Sequence, residues 1–80
     1  MIRQEFIEDV QKELDRAVSL HGGFASEAEG LAVIYEEFIE FRNEVFKRSI
    51  DKTNCKIELV QLAAMLAKFY DLFLLKKEND

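Results

Sequence analysis

The 80-residue chain has no proline, three glycines and one cysteine. Without proline, and with no glycine inside its first or third apolar-periodic segment, nothing interrupts long helices, so the composition predicts an all-α chain. A lone Cys55 excludes an internal disulfide and fits a reducing cytoplasm. It reads as a small hydrophobe near a helix start, because the only histidine, His21, lies in a distant loop. Positive charge is also short: eleven Lys and Arg face sixteen Asp and Glu, for a net charge of −5. That balance argues against a nucleic-acid polymer and against adhesion to anionic membranes. The stretch Met1-Ile2-Arg3-Gln4-Glu5 lacks the continuous apolar core of a signal peptide. No solenoid repeat and no low-complexity linker is visible. Eighty residues therefore predict one domain, 1–80, with a small core.

What the chain does have is helical periodicity. Ile2, Phe6, Val10, Leu14 and Ala17, widened by Ile7 and Val18, predict a first helix over about residues 2–20. His21-Gly22-Gly23 stops it. Ser26 and Glu29 fit a capping box that opens a second helix, running over about 26–48. Gly30 lies inside this helix, where it would permit close approach of a neighbour. After a connection at Ser49 to Asn54, capped by Thr53 or Asn54, the spacing predicts a third helix over about 55–75. It is close to membrane-span length, but Glu58, Gln61, Lys68 and Asp71 interrupt it and would be costly in lipid. Lys76-Lys77-Glu78-Asn79-Asp80 reads as a frayed end. The third helix is apolar on more surface than two neighbours can cover, which predicts a bundle completed by homo-oligomerisation, most simply a two-fold dimer.

The second helix carries the chemistry. Glu36, Glu37, Glu40 and Glu44 fall within about a quarter of its circumference at about 100° per residue, and Glu29 joins them one turn earlier. Leu31, Ile34, Phe38, Phe41 and Val45 form the opposite face, which is expected to pack. A solvated acidic face is the ordinary outcome, but such faces usually alternate in sign. Here Glu36–Glu40 and Glu40–Glu44 are like-charge pairs, and only Lys47 offers a cation on that side. A hard divalent cation would relieve the repulsion. Glu58 and Gln61 share one face of the third helix. Glu58 either lies on a thin solvent-facing stripe with Gln61 and Lys68, or faces the acids of helix two and completes an inward-pointing carboxylate site.

The pattern Glu36-Glu37-Phe38-Ile39-Glu40, a spacer, then Glu58-Leu59-Val60-Gln61 resembles the EExxE and ExxD motifs of the all-α nucleoside triphosphate pyrophosphatases, the MazG-like proteins. The surroundings are similar too: a His-Gly turn, Ser26 opening the helix, Glu29-Gly30 ahead of the motif, and Val60 to Met65 after it. The likeness runs from about Phe6 to Leu72 and is strongest to the short bacterial, phage or mobile-element members. It implies an Mg²⁺-dependent hydrolase that converts a nucleoside triphosphate to the monophosphate and pyrophosphate, in house-cleaning of the nucleotide pool. It implies a homodimer, or a tetramer built from two dimers. It makes Glu36, Glu37, Glu40 and Glu58 the metal ligands. Gln61 stands where the motif's closing Asp is expected, and is a neutral, poorer ligand. Short members also carry glutamine at this place, which makes it a subgroup trait. Glu37 or Glu40 would orient or deprotonate the attacking water. Arg48, Lys52 and Lys56 are candidates for the phosphates. His21 and Phe24 could stack on a base, although Phe24 also reads as a loop anchor and His21 as a surface or capping residue. The alternative is a catalytically weak or inactive helical oligomer that serves as a binding module, a reading that Gln61 favours.

Overall fold

A computed structural model describes residues 1–75. The expected fraying of Lys76 to Asp80 lies outside the described residues. The described chain is all-helical: α1 (Gln4–His21), α2 (Glu27–Val45) and α3 (Lys52–Phe69), followed by a π-helical turn (Tyr70–Leu74). The third helix packs against both of the others, whereas α1 and α2 barely meet. No helix among the described residues is long and apolar enough to cross a membrane.

Local chemistry accounts for the ends. Gly22 closes α1 at φ 70°, a left-handed conformation open to glycine, and its N–H donates to the Val18 carbonyl at 2.8 Å. Ser26 Oγ accepts from the Glu29 N–H at 3.1 Å, and the Glu29 carboxylate accepts from the Ala25 N–H at 3.1 Å. The reciprocal cap is thus present, with its second arm one residue further upstream than the usual box. The second helix ends at Val45, three residues short of the expected Arg48; Phe46 follows it, with the Arg42 guanidinium 5.4 Å from its ring centre. The third helix begins at Lys52 rather than Cys55. Its cap is Asp51, whose carboxylate accepts from the Asn54 N–H at 3.1 Å. Asp51 thus takes the place expected for Thr53 or Asn54, since the helix starts three residues earlier. Near its other end α3 loosens into the π turn, where Leu75 N–H donates to the Tyr70 carbonyl at 2.8 Å.

The core is small. Ala17, Ala64 and Met65 are buried, with Val10, Leu14, Phe24, Val33 and Ile34 packed against them. The face that α2 turns inward corrects the sequence expectation. Gly30, Val33, Ile34, Glu37, Phe41 and Glu44 are its buried or half-buried line, while Leu31 and Phe38 remain 63% and 46% exposed and Val45 is also exposed. The widening residues of α1, Ile7 and Val18, are exposed as well. The second helix is apolar on two sides, and the side that packs is the one interrupted by carboxylates.

Gly30 sits where three segments converge. A Cβ there would lie 2.8 Å from Phe24 of the α1–α2 loop and 2.8 Å from Phe69 of α3. Both rings belong to an aromatic group with Phe73, which stacks on Phe24 at 6.5 Å and meets Phe69 edge-on at 5.0 Å. Phe24 is therefore the loop anchor. Gly30→Ala would raise intrinsic helix propensity, yet the clash with two rings should outweigh that gain. Urea denaturation should show a net loss of about 1–3 kcal/mol, and a gain in stability would contradict this packing.

Candidate functional site

The acids meet because α2 and α3 form an antiparallel hairpin. Glu40 is five residues before the end of α2 at Val45, and Glu58 is six residues after the start of α3 at Lys52, so the two lie at matching heights. Glu37 is one turn behind Glu40 on the packed side. One carboxylate oxygen from each of Glu37, Glu40 and Glu58 lies within 4.8 Å of the others. Glu58 is half-buried and directed at the acids of α2, and Lys68 is only 5% exposed, so no solvent-facing stripe joins them. Glu36 is exposed and outside this set of three.

The local electrostatics are unfavourable to three full charges. Burial, followed by the charges of Glu40, Glu58 and Glu13, pushes the Glu37 carboxyl up to about 7. Burial and Glu40 raise Glu58 as well, with Lys47 opposing the shift. Glu37 Oε2, Glu44 Oε1 and Glu58 Oε2 are buried and have no hydrogen-bond partner. Buried acceptors of this kind carry a desolvation penalty unless a proton or a cation answers them. A protonated Glu37 can share its proton with Glu40. Glu44 is partly answered, since its Oε2 pairs with Lys47 Nζ at 2.7 Å.

Beside the carboxylates opens a cavity of about 320 Å³, within the range of small-molecule sites. Its walls include Glu37, Gln61, Arg16, His21, Phe24 and Lys68. Gln61 thus borders both the acids and the cavity, and His21 stands at its rim as an exposed residue ending α1. The basic residues around the second connection are arranged differently from the sequence expectation. Arg48 and Lys52 are exposed, and Lys56 is paired with Asp9 of α1 at 3.7 Å, beside a separate cavity.

Four residues of the site escaped sequence reasoning as site members. Glu13 and Arg16, joined at 2.6 Å, reach the cavity from α1. No spacing rule within α1 relates them to acids more than twenty positions away. Glu44 was visible as part of the acidic arc, but its place on the packed line was not. Lys68 reads as an ordinary surface lysine until Phe24 is seen to cover it, with Nζ 4.3 Å from the ring centre.

The raised Glu37 carboxyl makes stability depend on pH. In the unfolded chain Glu37 ionises near its ordinary value of 4.5, and in the folded protein near 7. The folded state therefore holds the proton more tightly, and the associated stability is complete below 4.5 and lost as pH rises through 7. In metal-free buffer the melting temperature should fall between pH 5 and pH 8. Glu37→Gln should raise it at pH 8 and flatten that part of the profile; an unchanged slope would remove Glu37 as its source.

No family model matches the chain, and neither curated proteins nor solved structures give a match.

Proposed function

We propose that the chain is an Mg²⁺-dependent nucleoside triphosphate pyrophosphohydrolase of the MazG-like kind, acting as a homo-oligomer. The observation that carries this reading is the convergence of Glu37, Glu40 and Glu58 within 4.8 Å, with buried oxygens of Glu37 and Glu58 lacking any donor. The residues fit a small hard cation: the donors are all carboxylate oxygens, they come from two rigid helices, and repulsion between them leaves a deficit of positive charge. The motif order, EExxE on α2 and Glu58-Leu59-Val60-Gln61 on α3, supports the same reading.

Glu40 and Glu58 would hold the metal, with Glu37 on its inner side and exposed Glu36 able to contribute only from the rim. Bound Mg²⁺ would neutralise phosphate oxygens and make a water acidic enough to attack phosphorus. Glu37 is the better candidate for the base, because its Oε2 is buried and has no donor. Water adds at phosphorus, the bond to the leaving pyrophosphate breaks, and the water's proton passes to Glu37 Oε2. Gln61, at the cavity edge, offers an amide that can orient the substrate without adding a charge.

Two experiments test this reading. Pyrophosphate release over a panel of ribo- and deoxynucleoside triphosphates should require Mg²⁺ and fall by at least about a hundredfold in Glu37→Gln, the scale of a lost general base. Mg²⁺ should also raise the melting temperature of the wild type and not of Glu40→Gln, since a ligand bound only by the folded state stabilises it. No release from folded oligomer would instead favour a binding module, with Gln61 the residue responsible.

The oligomer is supported by what α2 and α3 leave uncovered. Leu31, Tyr35, Phe38 and Val45 form an exposed stripe on α2, Leu59 and Leu66 remain exposed on α3, and Tyr70 is exposed at the start of the π turn. No large apolar side chain among the described residues is fully buried. A second copy would cover such a surface with the same surface. Light scattering should give a mass of two or four chains, and Phe38→Asp should lower it; a wild-type monomer would refute the oligomer.

A further inference from the structure

We infer that the cavity beside the carboxylates is an anion-receiving subsite in which the ammonium of the largely buried Lys68 meets a phosphate chain. Lys68 is 5% exposed, making it the one buried charged residue among the described residues. No carboxylate among those residues lies within ion-pair distance of it. Its contact is the face of Phe24 at 4.3 Å. A ring face is a weaker partner for an ammonium than a carboxylate or phosphate oxygen.

The neighbouring charges on the cavity wall already have partners. Arg16 is held by Glu13 through two hydrogen bonds, of 2.9 and 2.6 Å. Glu29 is occupied in capping α2 through the Ala25 N–H. On its other side Lys68 borders a second cavity whose wall includes Asp15 and Asp71, and neither reaches it. The lysine therefore remains the cation with no carboxylate partner on a cavity wall that also includes Glu37. In a chain of net charge −5, polyanions are repelled generally, so a cation at one place in the cavity also decides where a polyanion can settle.

That the anion is a phosphate chain, and not another anion, rests on the proposed hydrolase reading. The phosphate chain would then have two attachments, the cation that the carboxylates would hold and the Lys68 ammonium. The ammonium would act on substrate binding and alignment, with no proton transfer assigned to it.

The test is calorimetric binding of inorganic tripolyphosphate to the full-length protein in metal-free buffer, beside Lys68→Met and Lys68→Arg. The wild type should bind, and Lys68→Met, which keeps the stem and removes the charge, should bind at least about tenfold more weakly, the scale of a hydrogen bond to a charged group. Lys68→Arg should restore binding, which a purely structural role would not require; circular dichroism establishes that both variants are folded. Absent binding by the wild type, or equal binding by Lys68→Met, overturns the subsite. Pyrophosphate release measured on the same proteins separates the two readings. Hydrolysis with an unchanged KM in Lys68→Met leaves the hydrolase standing without this subsite. Lysine-dependent tripolyphosphate binding by a protein that hydrolyses nothing leaves the subsite standing without the hydrolase.

Discussion

The structure depends on a seam between two helices that is both its principal packing contact and a concentration of like charge. The second and third helices meet along a line where Gly30, Val33, Ile34 and Phe41 alternate with Glu37 and Glu44, opposite Glu58. Apolar residues there would hold the hairpin more firmly, because a buried carboxylate with no donor opposes folding. The small core of Ala17, Ala64 and Met65 must offset that opposition. Stability and charge state are thus properties of one contact, and anything that supplies positive charge to the seam acts on the fold as well.

The rest of the molecule reads as support for that contact. The Asp51 cap fixes where α3 begins and so sets the height of Glu58. The Ser26–Glu29 cap fixes the start of α2. Gly30 then lets Phe24 and Phe69 close over the far end of the hairpin, away from the acids. Phe24 has two duties there: it seals the loop against α3, and its ring covers Lys68. Glu37 and Lys68 thereby border one cavity although they arise from different helices.

Much of this was legible in the sequence. Three helices, the glycine stop after α1 and the Ser26 cap follow from local rules of spacing and capping, whereas those rules left Glu58 open between a solvent-facing stripe and the acids of α2. The rotation of α2 did not. Its two candidate faces are similarly apolar, and the rule that sends carboxylates outward chooses the wrong one, because here the packed line includes Glu37 and Glu44. The start of α3 was ambiguous for a chemical reason: Asp51, Thr53 and Asn54 can all cap, and only the geometry of the preceding turn decides among them. Glu13, Arg16 and Lys68 depend on how α1 and the loop lie over α3, which no periodicity within one helix encodes.

The π turn at Tyr70–Leu74 has a consequence for helical phase. Its bond from Leu75 N–H to the Tyr70 carbonyl spans five residues where an α-helix spans four. One extra residue per hydrogen-bonded loop shifts the helical phase by about 100° relative to a continuous α-helix. A seven-residue pattern followed from Glu58 onward therefore loses step after Phe69. Within the turn, Phe73 stacks on Phe24 and Leu72 lies beside Gly23, so the segment that latches the α1–α2 loop is the one where the helical pitch changes.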